Sequence, residues 1–409
     1  MTVSVGNASK LVCVAIVAAP LACAGRHPMP TTAAVSTSSA ITAQDLRARL
    51  YIYADDSMLG RKFETVGNRK ATDYLAAEAR RIGLMPAGEG YTFFQSVRPD
   101  SSSRYSGRGL AGAARNVIGI IRGSDPALRD EYVAIGAHND HLGVRAQQPL
   151  DHDSLRAYNL ELQRRGAPIW DSRSAARRAA LRDSIRINVD SLRRIRRPRL
   201  DSVYNGADDD GSGTVAVLEI AEALGSMPVK PKRSILIVWH TGEEAGLLGS
   251  KWFTDHPTVP RYKIVAQLNI DMVGRGGAED FPGGGPRYLQ LIGSRRVSTE
   301  LGDIVEQVNA TEKMPFVFDY SWDTNGHPER IYCRSDHWEY ARYGIPITFF
   351  TTGLHVDYHQ LTDEPQYIDY EHLQRVAQLV RDVAVRVASL DHRPRVDKPV
   401  GDPTAACVQ

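Results

Sequence analysis

Five short polar clusters in this chain carry residue types that bind metal ions and move protons. His138-Asn139-Asp140 follows the apolar run YVAIGA. Gly206-Ala207-Asp208-Asp209-Asp210-Gly211-Ser212-Gly213 precedes an apolar segment. Gly242-Glu243-Glu244 follows SILIVW, Asn269-Ile270-Asp271 ends another apolar run, and Tyr358-His359 comes shortly after PITFFT. Imidazole suits zinc, and carboxylate oxygen is its other common non-thiolate ligand. Two divalent ions about 3.5–4 Å apart need a bridging group, and Asp209, central in its cluster, is the natural bridge. Asp140 lies two residues beyond His138, on the same side of an extended segment. It is placed to accept the second N–H of the imidazole and fix its tautomer. The adjacent glutamates divide the labour: Glu244 faces metal, and Glu243 acts as general base on the attacking water and then donates to the leaving amine.

Each cluster also has a plainer reading. A single His after a strand is commonly structural, Asp-Asp-Asp-Gly-Ser-Gly is a turn and helix cap, and paired Glu is a solvated surface. Asp271 alone fits a helix cap, and Tyr358-His359 alone says almost nothing. The metal reading gains because all five recur in order behind apolar strands.

The elements that must position these clusters are legible from periodicity. Asp45 to Tyr53 and Asn68 to Ile82 are predicted helices; in the second, Ala71, Tyr74, Leu75, Ala79 and Ile82 recur at helical spacing before Gly83. Asn116 to Ile121, Tyr132 to Ala137, Ser234 to Trp239, Ile264 to Ile270 and Pro346 to Thr351 are predicted buried strands. Thr214 to Leu224 and Tyr370 to Leu390 are predicted helices. Alternating strands and helices imply an α/β layer fold with a largely parallel central sheet. Ligands in such sheets bind at the carboxyl ends of the strands, where the five clusters fall. One segment breaks the rhythm: 147–200 is polar, Arg-rich and helical in character. It reads as a solvated excursion, with a lid over the site or a surface for anionic partners as alternatives.

The chain has 409 residues, 42% hydrophobic and 24% charged, with a formal net charge of +2. That is ordinary globular composition, and it gives no argument for nucleic acid as a partner. Residues 1–24 read as an export signal: Lys10, an apolar stretch from Leu11 to Leu21, then Ala22-Cys23-Ala24. The stretch is too short to span a bilayer. Export to the periplasm or the exterior follows, with a lipid anchor at Cys23 as the rival reading; Pro20 stands where a lipobox wants an aliphatic residue. Residues 25–43 read as a flexible linker, 44–391 as the catalytic domain and 392–409 as a tail. Cys333 and Cys407 remain after cleavage, able to pair in an oxidising compartment.

Taken together, the motifs resemble the zinc-dependent exopeptidase family that includes bacterial leucyl aminopeptidases and glutamate carboxypeptidase. The resemblance runs from about Leu46 to Leu390. It rests on GAHNDHLG (Gly136–Gly143), NGADDDGSG (Asn205–Gly213), TGEEAGLLGS (Thr241–Ser250), NIDMVG (Asn269–Gly274) and GLHVDYHQLTDEP (Gly353–Pro365). It implies two zinc ions, one held by His138 and Asp271, the other by Glu244 and His359, with Asp209 shared, Glu243 as base and Asp140 orienting. It also implies a three-layer sandwich of helices around a mixed sheet. The family joins its first two motifs by a short loop, so the 147–200 insert departs from the pattern. His141 and His355 match no ligand position. The expected activity is hydrolysis of the terminal peptide bond of a peptide, as an aminopeptidase. A carboxypeptidase, using Arg275, Arg334 or the insert's arginines, and a glutaminyl cyclase are alternatives, as is a non-catalytic ectodomain. A calcium-stabilised binding protein built on DDDGSG lacks the distal Glu of an EF-hand.

Overall fold

The computed structural model describes residues 37–98, 114–280 and 283–409. The export signal and the lipid-anchor reading fall outside them. Among the described residues no helix is long and apolar enough to cross a membrane.

The β-branched runs form strands. In chain order they are β1 (Met85–Pro86), β2 (Phe94–Ser96), β3 (Arg115–Ile121), β4 (Tyr132–His138), β5 (Ser234–His240), β6 (Ile264–Ile270), β7 (Tyr288–Ile292), β8 (Val317–Asp319) and β9 (Ile347–Thr351). They build one mixed sheet in the order β1-β3-β5-β4-β6-β9-β7-β8, with β2 also on β3. The central strands β5, β4, β6 and β9 are mutually parallel. The outer pairs β3–β5 and β7–β9 are antiparallel. His138 pairs in register with His240, and Asn269 with Gly136. The carboxyl ends of the central strands therefore reach one level.

Alternation along each strand feeds two cores. Val133, Ile135 and Ala137 of β4, with Ile235, Ile237 and Trp239 of β5, face one of them. Ala134, Leu236 and Val238 face the other. The first core is covered by α1 (Ala43–Tyr53), α2 (Val66–Arg81), α6 (Gly213–Ser226), α8 (Thr299–Thr311) and α10 (Tyr370–Ala388). The second is covered by α7 (Leu248–Asp255) and α9 (His337–Ala341). This is the three-layer α/β sandwich expected from the motifs.

The insert supplies α3 (His152–Arg164), α4 (Ala175–Leu181) and α5 (Val189–Ile195). Its two ends are paired: Gly143–Val144 with Val203–Tyr204, and Leu150–Asp151 with Leu200–Asp201, both antiparallel. The end of the expected linker packs on the domain. Ile41 is buried, and Thr37 donates to Glu222 at 2.6 Å. The tail is tied down by a Cys333–Cys407 disulfide. The Gln409 side chain donates to the Trp322 and Thr324 carbonyls and accepts from the Tyr332 N–H.

Between α1, α2 and α6 lies a fully buried guanidinium. Arg49 meets Glu78 at 2.6 Å and Glu219 at 2.5 Å, and also contacts Glu222. Removing one member of such a cluster strands the others without compensation. Arg49→Ala should therefore cost about 3–5 kcal/mol in urea unfolding, whereas a loss within the scatter of exposed ion pairs would show that Arg81, which also meets Glu78 and Glu222, suffices. A pH effect follows from His372 at the start of α10. Burial pushes its pKa from 6.5 down to about 4, so on acidification the unfolded chain takes up this proton first. Its contribution destabilises the fold progressively as the pH falls from about 6.5 to 4, by up to roughly 3 kcal/mol. His372→Phe should flatten that part of the pH–stability curve; an unchanged slope would reject the assignment.

Candidate metal centre

The acidic cluster between Asn205 and Gly213 divides its three aspartates among three tasks. Asp210 is fully buried and turns inward. It accepts from the His138 N–H at 3.0 Å, the Gly213 N–H at 2.9 Å and the Met272 N–H at 3.2 Å. One carboxylate thus ties the end of β4, the start of α6 and the end of β6. Asp208 accepts from the Gly274 N–H at 2.7 Å and meets His355 Nε2 at 3.0 Å. Asp209 is left facing the cleft, its own N–H and that of Asp208 bound by Asp363. The Asp209–Asp210 peptide is cis.

Around Asp209 the structure brings together all the residues singled out from sequence. Asp209 Oδ1 lies 3.1 Å from His138 Nε2, and Asp209 Oδ2 lies 3.1 Å from His359 Nε2. His359 Nε2 is also 3.1 Å from Glu244 Oε2. Asp271 Oδ1 stands 3.7 Å from His138 Nε2, its other oxygen held by Ser335 Oγ at 2.7 Å. Glu243 Oε2 is 4.0 Å from His138 Nε2. His138 Nε2, Asp209 Oδ2 and Glu244 Oε1 are buried without a hydrogen-bond partner. Buried polar atoms are rarely left so. Close nitrogen–oxygen approaches that lack hydrogen-bond geometry are what ligands of a shared cation show, so the donor set fits divalent metal. His359 and Met272, next to Asp271, hold left-handed backbone at φ 57° and 58°, a conformation non-glycine residues sustain at a cost and typically at functional sites.

The electrostatics follow the crowding. Burial alone would lower the His138 pKa, but Asp271, Asp209 and Glu243 hold it well above its ordinary value. Burial opposes ionisation of Asp209 too, yet the neighbouring imidazoles keep its pKa well below the usual range. Burial, reinforced by Glu244 and Asp271, pushes the Glu243 pKa well up.

Asp140 acts differently from the expectation. Its backbone carbonyl, not its carboxylate, meets His138 Nδ1, at 3.1 Å; the carboxylate is 3.8 Å away. The chain turns after His138, so the main chain faces the imidazole, while Asp140 Oδ1 accepts from the Glu243 N–H at 3.1 Å. Burial pushes the Asp140 pKa up to about 7. His355, unassigned from sequence, is structural through Asp208. His141 also converges on the site, with Nδ1 2.8 Å from Glu244 Oε1; no motif position pointed to it.

The site opens into a cleft walled by Met272, Trp322, Ile331, Phe349 and Leu354, with Gln290, Arg334 and Tyr358 adding polar groups. Met272, Phe349 and Leu354 fall within segments marked by the sequence, whereas nothing local marks Gln290, Trp322 and Ile331. The insert braces one side. Arg156 of α3 meets Asp357 at 3.1 Å, and Asp357 meets the buried Arg275 at 3.0 Å. Asp357 is two residues before His359.

Residues 116–384, which include every one of these ligand candidates, match peptidase family M28. The chain belongs to peptidase family M28. Leucine aminopeptidase 1 of Trichophyton rubrum is 28% identical over 190 residues, 43% of this chain and 46% of that protein. The chain spans about half the length of the curated relatives it matches. Among solved structures, a leucine aminopeptidase precursor from Bacteroides thetaiotaomicron superposes with a TM-score of 0.55 at 19% identity, over 85% of this chain and 97% of that one. A Porphyromonas gingivalis glutaminyl cyclase gives 0.55 at 20%, over 84% and 97%. These likenesses establish the M28 fold, a mixed sheet between helical layers. Because ligand binding to the native state stabilises it, chelation should lower the melting temperature of this M28 protein by several degrees, and added zinc should restore it. A melting temperature indifferent to chelator would argue against metal at this centre.

Proposed function

We propose that the chain is an exported, two-zinc exopeptidase that removes residues from the amino end of peptides, with Glu243 as general base. The observation that supports it most is the arrangement about Asp209, whose two oxygens face separate imidazoles, each with a further carboxylate beside it. In this reading His138 and Asp271 hold one ion, Glu244 and His359 the other, and Asp209 both. Bound zinc supplies Lewis-acid polarisation of the scissile carbonyl and of the attacking water.

The remaining work belongs to this chain's side chains. Glu243 lines the cleft beside His138, placed to take a proton from water and return it to the departing amine. Asp140 fixes the Glu243 backbone and, through its carbonyl, the His138 ring. The apolar wall excludes water and takes a hydrophobic side chain. Of the arginines offered for a substrate carboxylate, Arg275 is buried against Asp280 and Asp357. Arg334 is engaged by Glu329 and Tyr358. The export reading rests on residues 1–24, and the names of the relatives support the amino-terminal specificity.

An anilide panel of free-amine amino acids, compared with N-blocked dipeptides ending in a free carboxylate, tests this directly. Release from the free-amine panel is expected, abolished by chelator. Glu243→Gln should lower kcat by ~10²–10⁴-fold with zinc content unchanged. Cleavage of only the blocked peptides would make the enzyme a carboxypeptidase; cyclisation of N-terminal glutamine without hydrolysis would make it a cyclase. Full activity in Glu243→Gln would remove the base from the mechanism.

A further inference from the structure

His141 is the residue that the five-ligand assignment leaves without a task. Its side chain is completely buried, and neither ring nitrogen has a hydrogen-bond partner. Leaving a buried polar group unsatisfied is costly, so a persistent one calls for a missing partner. The ring is held in place. It packs on Gly206, where a Cβ would stand 2.5 Å from the imidazole carbons, and it meets the His359 ring edge-on at 5.8 Å. Its Nδ1 points into the centre, 2.8 Å from Glu244 Oε1 and 3.8 Å from Asp209 Oδ2. Neither contact has hydrogen-bond geometry, and both of those oxygens are themselves buried and unpartnered. One donor atom each from His141, Asp209 and Glu244 lie within 4.8 Å of one another.

We propose that His141 Nδ1 is a further ligand of the ion held by Asp209, Glu244 and His359, which makes the two metal positions unequal. The proposal rests on the two-zinc reading above. The His141 position then has four protein donors, the closed set typical of structural zinc. The position at His138, Asp209 and Asp271 has three, the set that leaves a place for water or substrate. Glu243 stands beside His138, on the three-donor side. The four-donor ion is therefore the tightly held, anchoring one, and the other is the exchangeable one at which substrate is handled. His141 loses no proton to the reaction and touches no substrate; its role is to hold the anchoring ion.

Zinc-edge X-ray absorption on the full chain, stripped of metal and reloaded, counts imidazoles directly. Protein carrying a single equivalent of zinc should show two imidazoles on that ion, His141 and His359; a single imidazole would overturn the proposal, since no position has two without His141. His141→Ala and His141→Gln should each lower affinity for the tighter ion by roughly 100-fold and remove one imidazole from it. Weaker binding with the imidazole count unchanged would also overturn it, reducing His141 to a group that positions Glu244. The wild-type count stands even if neither variant folds. Wild-type protein that takes up fewer than two zinc ions would instead reject the two-zinc reading on which the proposal depends.

Discussion

Burying several carboxylates in one place is the constraint around which this structure is organised. Asp208, Asp209, Asp210, Asp271, Glu243, Glu244 and Asp363 all lie at or behind one strand-end cleft. Their mutual repulsion in a low-dielectric interior would be prohibitive without compensation. The compensation for the rear group is main-chain. Backbone N–H groups from three separate motifs converge on Asp210, and others on Asp208 and Asp363. Each such bond stabilises the charge and fixes the distance between segments remote in sequence. The front group is left to imidazole and metal. A row of amide-bound carboxylates thus stands behind the row of ligand candidates that faces the cleft.

The parallel sheet was readable because its central strands are continuous β-branched runs. β4, β5, β6 and β9 fall within a residue of their predicted bounds, as does the long helix α10 at its start. The less visible elements lie towards the periphery. β7 carries a central Gln290, β8 is three residues long, and β1 and β2 are shorter than any reliable periodicity. Helices α7 and α8 went unread, although Ser298 caps α8. Most ligand candidates were readable because they sit at or just after a strand end, as His138, Glu244 and Asp271 do, while Asp209 is marked instead by its acidic cluster before an apolar helix. Side-chain direction was not. Whether Asp140 offers its carboxylate or its carbonyl to His138 depends on a turn of the chain just after the strand. Whether His141 faces solvent or Glu244 depends on a strand that arrives a hundred residues later in the chain. Part of the apolar wall was also hidden: Trp322 and Ile331 come from short segments with no periodic signal and join Phe349 and Leu354 only through the fold.

The neighbourhood of the cleft is braced from outside the sheet. The tail reaches the loop carrying Trp322 through the Cys333–Cys407 bridge and the hydrogen bonds of Gln409. On the other side, the relay from Arg156 through Asp357 to Arg275 and Asp280 joins the insert to the loop carrying His359. Arginine suits this relay because its planar fork satisfies two carboxylates at once. Within the insert, Arg193 meets Asp151, and Arg196 and Arg199 both meet Asp153, so these arginines hold the segment to itself.

The paired ends of that insert uncouple its length from the sheet. Because Gly143–Val144 lies against Val203–Tyr204, the chain leaves the domain and returns to it at a single point. The sheet therefore sees the same short connection whether the intervening segment is long or brief, and the closure penalty of a longer loop grows only logarithmically with its length. A change in the length of that segment thus leaves the register of every central strand as it is. The insert is in that sense a fitting hung on the sheet at one point, its size and charge independent of the strand register.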